Sequence, residues 1–276
     1  MNNIENIRRK IGGHINQIIC KKMYNLTYEL KNKIGDFTSI DIGPGSGIST
    51  ICISKAYSDS YNNGKIYTID KFFGTSAFRT ESSPLRTNNS EIIEKNKNIL
   101  KNNIKKYSSI DNVQIIEGTS YNLKKYINQD TKIGIVFIDT DGMINKDFKI
   151  FYDNVIENGI FIFDDYANKP NNICKKLVKM NDTELEKYIE ERKYPKGKWE
   201  KDETIKSYCM GKHIRIYKIV QYFVKLKLLE IIDQHADTII VKKISNKKLN
   251  VEELDKAIKK MDEESYQEFL NLRSKK

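Results

Sequence analysis

Ile40-Asp41-Ile42-Gly43-Pro44-Gly45-Ser46-Gly47-Ile48-Ser49-Thr50 is the stretch whose reading decides the fold. Thr38 to Ile42 form a short β-branched run that reads as a buried strand and stops at three glycines. Helical spacing takes over from Ser46 to Tyr57, carried by Ile48, Ile51, Cys52 and Ala56. Strand, glycine turn and helix make a geometry in which backbone approaches a small molecule closely. Gly43, Gly45 and Gly47 carry no Cβ to collide with it. The spacing is G-x-G-x-G, whereas the dinucleotide fingerprint G-x-G-x-x-G would put its third glycine at Ile48. That departure disfavours a nicotinamide oxidoreductase.

Working outward, apolar strand-like runs fall at 38–43, 65–70, 113–117, 134–139 and 159–164. Helical patterns fall between them at 46–57, 88–107, 120–128 and 143–157. Strands this apolar, separated by helices, predict an α/β fold with a Rossmann-like, doubly wound parallel sheet covered on both faces. Leu228–Gln234 and Asp237–Lys242 break the alternation, because His235-Ala236 is too short for a parallel crossover. They must pair as an antiparallel hairpin at the sheet edge. Residues 3–33 read as helix with a break at Gly12-Gly13, and 250–272 as a charged closing helix. The expected division is an N-terminal helical extension over 1–35, a central domain over 36–245 and a C-terminal helix over 246–276. Ile214–Leu226 has the spacing of a core-docking or dimer helix, so a homo-oligomer is expected.

At 276 residues, with 39% hydrophobic and 31% charged, the chain can bury a sizeable core. It contains no run of the ~20 apolar residues that a membrane span requires. Its first residues lack the basic-then-apolar pattern of a signal peptide. Cys20, Cys52, Cys174 and Cys209 show no paired spacing and read as reduced thiols, so a cytoplasmic location is expected. The net charge of +11 is spread over the whole chain rather than gathered into blocks. It reads as compositional bias, and a nucleic-acid partner is not expected.

In open α/β sheets ligands bind outside the carboxyl ends of the strands. Those ends carry Asp41, Asp70, Glu117-Gly118-Thr119-Ser120, Asp139-Thr140-Asp141 and Asp164-Asp165. Every one is acidic, which suits a cationic cofactor without a pyrophosphate. Asp70 lies 27 positions after Gly43, where an acidic side chain can accept both hydroxyls of a ribose.

Asp41-Ile42-Gly43-Pro44-Gly45-Ser46-Gly47 together with Asp70 resembles motif I and the following acidic position of class I S-adenosylmethionine-dependent methyltransferases. The resemblance covers about residues 36–245 and implies a seven-stranded sheet ending in an antiparallel hairpin. It implies cofactor binding by Asp41, Gly43, Pro44, Gly45, Ser46, Gly47, Ser49, Asp70, Lys71, Gly118, Thr119, Ser120 and Asp139. Ser49 would orient the methionine end, and Gly118 to Ser120 would border the adenine.

A narrower resemblance lies in Ile138-Asp139-Thr140-Asp141 followed by Phe161-Ile162-Phe163-Asp164-Asp165-Tyr166. It is similar to the metal-dependent sugar O-methyltransferases of macrolide and aminocoumarin biosynthesis, which show Leu-Asp-Gly-Asp and then Asp-Asp-Tyr. Asp70-Lys71-Phe72-Phe73-Gly74 likewise resembles their Asp-Ser-Phe-Glu-Gly. This likeness implies Mg²⁺ at Asp139, Asp164 and Asp165, with catalysis by Asp139 and with Asp141 as the base. The lysine base of catechol-type relatives has no counterpart, since its position is Gly142. Elementary electrostatics points the same way: neighbouring carboxylates raise one another's pKa unless a cation binds them, and an all-oxygen set suits Mg²⁺.

His14, His213 and His235 match no metal-binding motif and read as packing or surface residues, with His213 as a candidate pocket residue. The polar insertion 71–90, with Arg79 and Arg86, reads as a lid. The expected function is O-methylation of a small hydroxylated acceptor, a sugar or a natural-product or polysaccharide precursor. The alternative is an RNA-binding or otherwise metal-independent methyltransferase, although no Asn-Pro-Pro-Tyr type motif is present.

Overall fold

A computed structural model describes residues 4–12, 15–60, 64–72, 90–108, 111–140, 142–168, 172–191 and 210–275. The chain begins with α1 (Ile4–Ile11) and α2 (Gln17–Ile34), then β1 (Thr38–Ile42), α3 (Ile48–Asp59), β2 (Ile66–Asp70), α4 (Ser90–Tyr107) and β3 (Val113–Glu117). A 3₁₀ turn (Ser120–Lys125) leads to β4 (Ile133–Ile138), α5 (Ile144–Phe151), a second 3₁₀ turn (Tyr152–Asn154) and β5 (Val155–Phe163). After these come α6 (Asn172–Lys179), α7 (Asp182–Glu191), α8 (Lys212–Lys225), β6 (Leu229–His235), β7 (Thr238–Lys243) and α9 (Val251–Ser274).

The seven strands form one sheet in the order β3-β2-β1-β4-β5-β7-β6. β3, β2, β1, β4 and β5 run parallel, while β7 pairs antiparallel with β5 and with β6. The chain winds outward from β1 through β2 to β3, then crosses back to β4 on the other side of β1. The crevice between the carboxyl ends of β1 and β4 is therefore the switch point where ligands are expected.

Period-two alternation divides the core between the two faces. Along β4, Val136 and Ile138 join Phe148, Phe161, Phe163 and Phe223 on one face. Ile135 and Phe137 join Ile19, Ile51 and Cys52 on the other. Ile4 and Ile7 of α1 pack into that second cluster, so the N-terminal helices share a core with the sheet. The helix break falls at Gly12, whose φ of +77° ends α1.

Two expected helices are corrected. The helix read over 143–157 stops at Phe151, and strand begins at Val155. The cause is Lys243, whose buried ammonium donates to the carbonyls of Tyr152 and Val155 at 2.8 and 2.6 Å. Tyr152 to Asn154 tighten into a 3₁₀ turn there, with the Val155 N–H donating to the Tyr152 carbonyl. The segment 120–128 is a 3₁₀ turn fixed by Thr119 and Asn122. α6 and α7 lie where no element was read.

Candidate active site

The cofactor half is built from the glycine turn. Gly43 donates to the Ile69 carbonyl at 3.0 Å, and Asp139 donates to the Ile42 carbonyl at 2.9 Å, so the turn leaves β1 between both neighbours. Gly43 has φ +79°, and a Cβ there would stand 2.0 Å from the Asp139 carbonyl oxygen. Gly47 donates to the Pro44 carbonyl at 2.8 Å, closing the turn at the start of α3. Gly45 also has positive φ. Only glycine fits these positions at low cost.

Asp41 lies beneath this turn with no solvent exposure. Its Oδ2 accepts from Ser49 at 2.8 Å and from Thr50 at 2.5 Å, while Oδ1 has no hydrogen-bond partner among the described residues. Burial pushes its pKa up to about 6, against the pull of the Thr50 and Ser49 hydroxyls. The Ser46 hydroxyl is also buried and unpartnered. Two orphaned polar atoms under a glycine turn fit a polar, positively charged ligand group, because an unpaired buried acceptor is costly. The Ser49 hydroxyl, expected to orient the methionine end, donates to Asp41 and is shut from solvent.

Asp70 ends β2 with its Oδ1 accepting the Phe72 N–H at 2.8 Å. Burial raises its pKa, and backbone N–H groups of Phe72, Lys71 and Gly45 draw it back down. Asp70 is thus tied to the glycine turn, with Lys71 half-buried beside it. Gly118 donates to the Asp70 carbonyl at 2.8 Å. Thr119 donates its N–H to Asn122 Oδ1 at 2.8 Å, and Ser120 is buried. Gly118 to Ser120 therefore stand next to Asp70 as one fixed corner.

The acidic half stands across the switch point. Carboxylate oxygens of Asp139, Asp164 and Asp165 all lie within 4.8 Å of one another. Burial foremost, then Asp164 and Asp165, push the Asp139 carboxyl well above its ordinary range. Burial likewise raises Asp164, although Thr238 donates to its Oδ1 at 2.5 Å. The oxygen-only donor set, with its mutual repulsion, fits a hard divalent cation. Asp141 and most of the 71–90 insertion, including Arg79 and Arg86, lie outside the described residues, as do His14 and Cys209.

Lys212 and Arg215, not read from the sequence, complete this half together with His213, the candidate pocket residue. Lys212, at the start of α8, forms an ion pair with Asp165 Oδ2, and His213 Nε2 lies 3.2 Å from Asp165 Oδ1. Burial opposes the Lys212 charge, but Asp165, Asp139 and Asp164 outweigh it and raise its pKa. Arg215, also buried, donates to the Gly142 carbonyl at 2.5 Å and clasps Asp262 through Nε and Nη2 at 2.8 and 3.0 Å. It locks the first turn of α8 over the loop after β4. Gly142 has φ +90°, and a Cβ there would press 2.9 Å from Lys212 Cβ. The only sequence signal for these contacts was the Gly211-Lys212-His213 start of a helix.

Residues 40–166 match the model of a family described as a methyltransferase domain. No curated protein matches the sequence. Among solved structures, the chain is similar to a Staphylococcus aureus protein provisionally described as a caffeoyl-CoA O-methyltransferase, at TM-score 0.52 and 13% identity, over 89% of this chain and 93% of that one. It is also similar to the SAH-bound methyltransferase PaMTH1 of Podospora anserina, at TM-score 0.51 and 16% identity, over 88% and 86% of the two chains. The O-methyltransferase NovP aligns at TM-score 0.50 and 13% identity, over 84% and 81%. At such identities the likeness is one of fold. Among the described residues no helix is long and apolar enough to cross a membrane.

Proposed function

We propose that this chain, whose residues 40–166 match a methyltransferase domain, is an S-adenosylmethionine-dependent methyltransferase that acts on a hydroxyl oxygen of a small molecule with the help of a divalent cation. A sugar or a natural-product or polysaccharide precursor is the favoured acceptor class. S-adenosylmethionine supplies the methyl group on a sulfonium that becomes a neutral thioether. In this reading Asp70 accepts the ribose hydroxyls, and the Gly118–Ser120 corner beside it borders the adenine. Asp41 and the Ser46 hydroxyl offer unpaired acceptors to the polar end of the cofactor.

The observation that carries the metal reading is the convergence of Asp139, Asp164 and Asp165 beside that cradle. Mg²⁺ held by them would supply positive charge that eases loss of a proton from an adjacent hydroxyl. A sugar hydroxyl has a pKa far above 7, so a carboxylate alone is a poor base for it. With that charge in place, Asp141 takes the proton while the chain's own side chains keep both reactants aligned and dry. Two of the structural neighbours are described as O-methyltransferases, which supports oxygen as the atom methylated.

A second reading has support in the Lys212 ammonium among the carboxylates: its charge offsets part of theirs, and transfer needs no metal. Turnover in excess EDTA decides. The metal reading predicts loss of activity that added Mg²⁺ restores, and full activity in EDTA would leave the second reading standing.

A further inference from the structure

Three carboxylates this close, and this withdrawn from water, need positive charge nearby. The structure supplies it from α8. Both oxygens of Asp165 are engaged there, Oδ2 by the Lys212 ammonium and Oδ1 by His213 at 3.2 Å. Asp139 and Asp164 each bring a carboxylate oxygen within 4.8 Å of one on Asp165, so the Lys212 charge stands beside all three. Asp164 has a neutral partner of its own in the Thr238 hydroxyl. Among the described residues, Lys212 is thus the lysine ion-paired with this set.

We infer that Lys212 is a resident counter-ion of the Asp139–Asp164–Asp165 set, and that a divalent cation occupies this set only by displacing the lysine ammonium. The inference rests on the metal reading above and adds the residue that tunes metal affinity. Two features suit Lys212 to exchange. Its backbone is held in place, because Arg215, one turn on, is pinned to the Gly142 carbonyl and to Asp262. Its side chain is 36% exposed while that of Asp165 is 15% exposed, so the flexible stem has a way out to water. The ammonium can withdraw without moving α8.

A divalent ion carries twice the charge and binds oxygen closely, so it can win the site, but it must first break the existing ion pair. Metal affinity in the native protein is lowered by that cost. When metal is scarce, Lys212 keeps the carboxylates from repelling one another.

The test is a calorimetric Mn²⁺ titration of the full chain, native and Lys212→Met, with Lys212→Arg as the charge-retaining variant. Lys212→Met should bind Mn²⁺ at least tenfold more tightly than the native protein, and Lys212→Arg should stay within about threefold of it. Without metal, Lys212→Met should melt lower than the native protein and recover more when Mn²⁺ is added. Equal affinity in the native and Met proteins overturns the inference while leaving the metal reading intact. If no protein of the series binds Mn²⁺, the metal reading falls and the inference with it. Should Lys212→Met fold poorly, Lys212→Gln is subject to the same comparison.

Discussion

The two halves of the crevice bury acidic side chains in opposite ways. On the β1–β2 side, Asp41 is wholly buried with one oxygen unpaired, and it is held by hydroxyls rather than by a cation. On the β4–β5 side, Asp165 has both oxygens engaged by Lys212 and His213. The first is a half-finished set of hydrogen bonds that a ligand completes. The second is a charge cluster partly offset from within, where a ligand must compete. Cofactor binding and cation binding should therefore respond to different perturbations.

The largest effect separating the halves is expected in the chemical step. Asp141→Asn should lower turnover about 10²–10⁴-fold, with cofactor and metal affinities little changed in calorimetry. Near-normal turnover would remove Asp141 as the base and make His213 or a solvent path the better candidate. Next comes the backbone of the cofactor half. Gly43→Ala combines a left-handed φ with a Cβ 2.0 Å from the Asp139 carbonyl oxygen, which should cost about 2–5 kcal/mol. Thermal denaturation checks this, and an unchanged melting temperature would show that the turn relaxes freely.

The orphaned state of Asp41 has its own signature. Its folded pKa of about 6 stands above the ordinary 3.8, so the folded chain holds that proton more tightly than the unfolded one. Its stabilising contribution is fully present below the unfolded value and is lost as pH rises through about 6. The difference is about 3 kcal/mol at 1.36 kcal/mol per pKa unit. The cofactor-free protein should therefore gain stability from this group between pH 7 and pH 4, and Asp41→Asn should flatten that gain. A slope identical in the native and Asn proteins would mean that Asp41 is not buried as described. The smallest effect belongs to Ser49, whose hydroxyl donates to Asp41. Ser49→Ala should cost roughly 1–2 kcal/mol of stability and weaken S-adenosylhomocysteine binding less than tenfold. A larger loss of affinity would indicate direct contact with the ligand.

The cofactor half was legible in the sequence because its rules are local. Three glycines must follow a strand, and an acid must end the next strand, so Gly43 to Gly47 and Asp70 can be found by spacing. The acids Asp139, Asp164 and Asp165 were legible for the same reason, each sitting just past a strand. Lys212 and Arg215 were not, because their meaning depends on where α8 docks. The first sits 47 positions after Asp165 in the chain and meets it only through tertiary packing. The premature end of α5 was hidden likewise, since Lys243 of β7 donates to the carbonyls of Tyr152 and Val155 just past it. Periodicity cannot register a partner 91 residues away.

Calorimetric titration with S-adenosylhomocysteine of the native chain, Asp70→Ala and Asp164→Ala tests the division of labour most directly. Losing two charge-assisted hydrogen bonds, each worth roughly 1.5–3 kcal/mol, should weaken binding to Asp70→Ala by about 10²-fold or more. Asp164→Ala should bind within a few-fold of the native chain while losing turnover. Native-like affinity in Asp70→Ala, or loss of affinity in Asp164→Ala, would contradict a cofactor seated on the β1–β2 side.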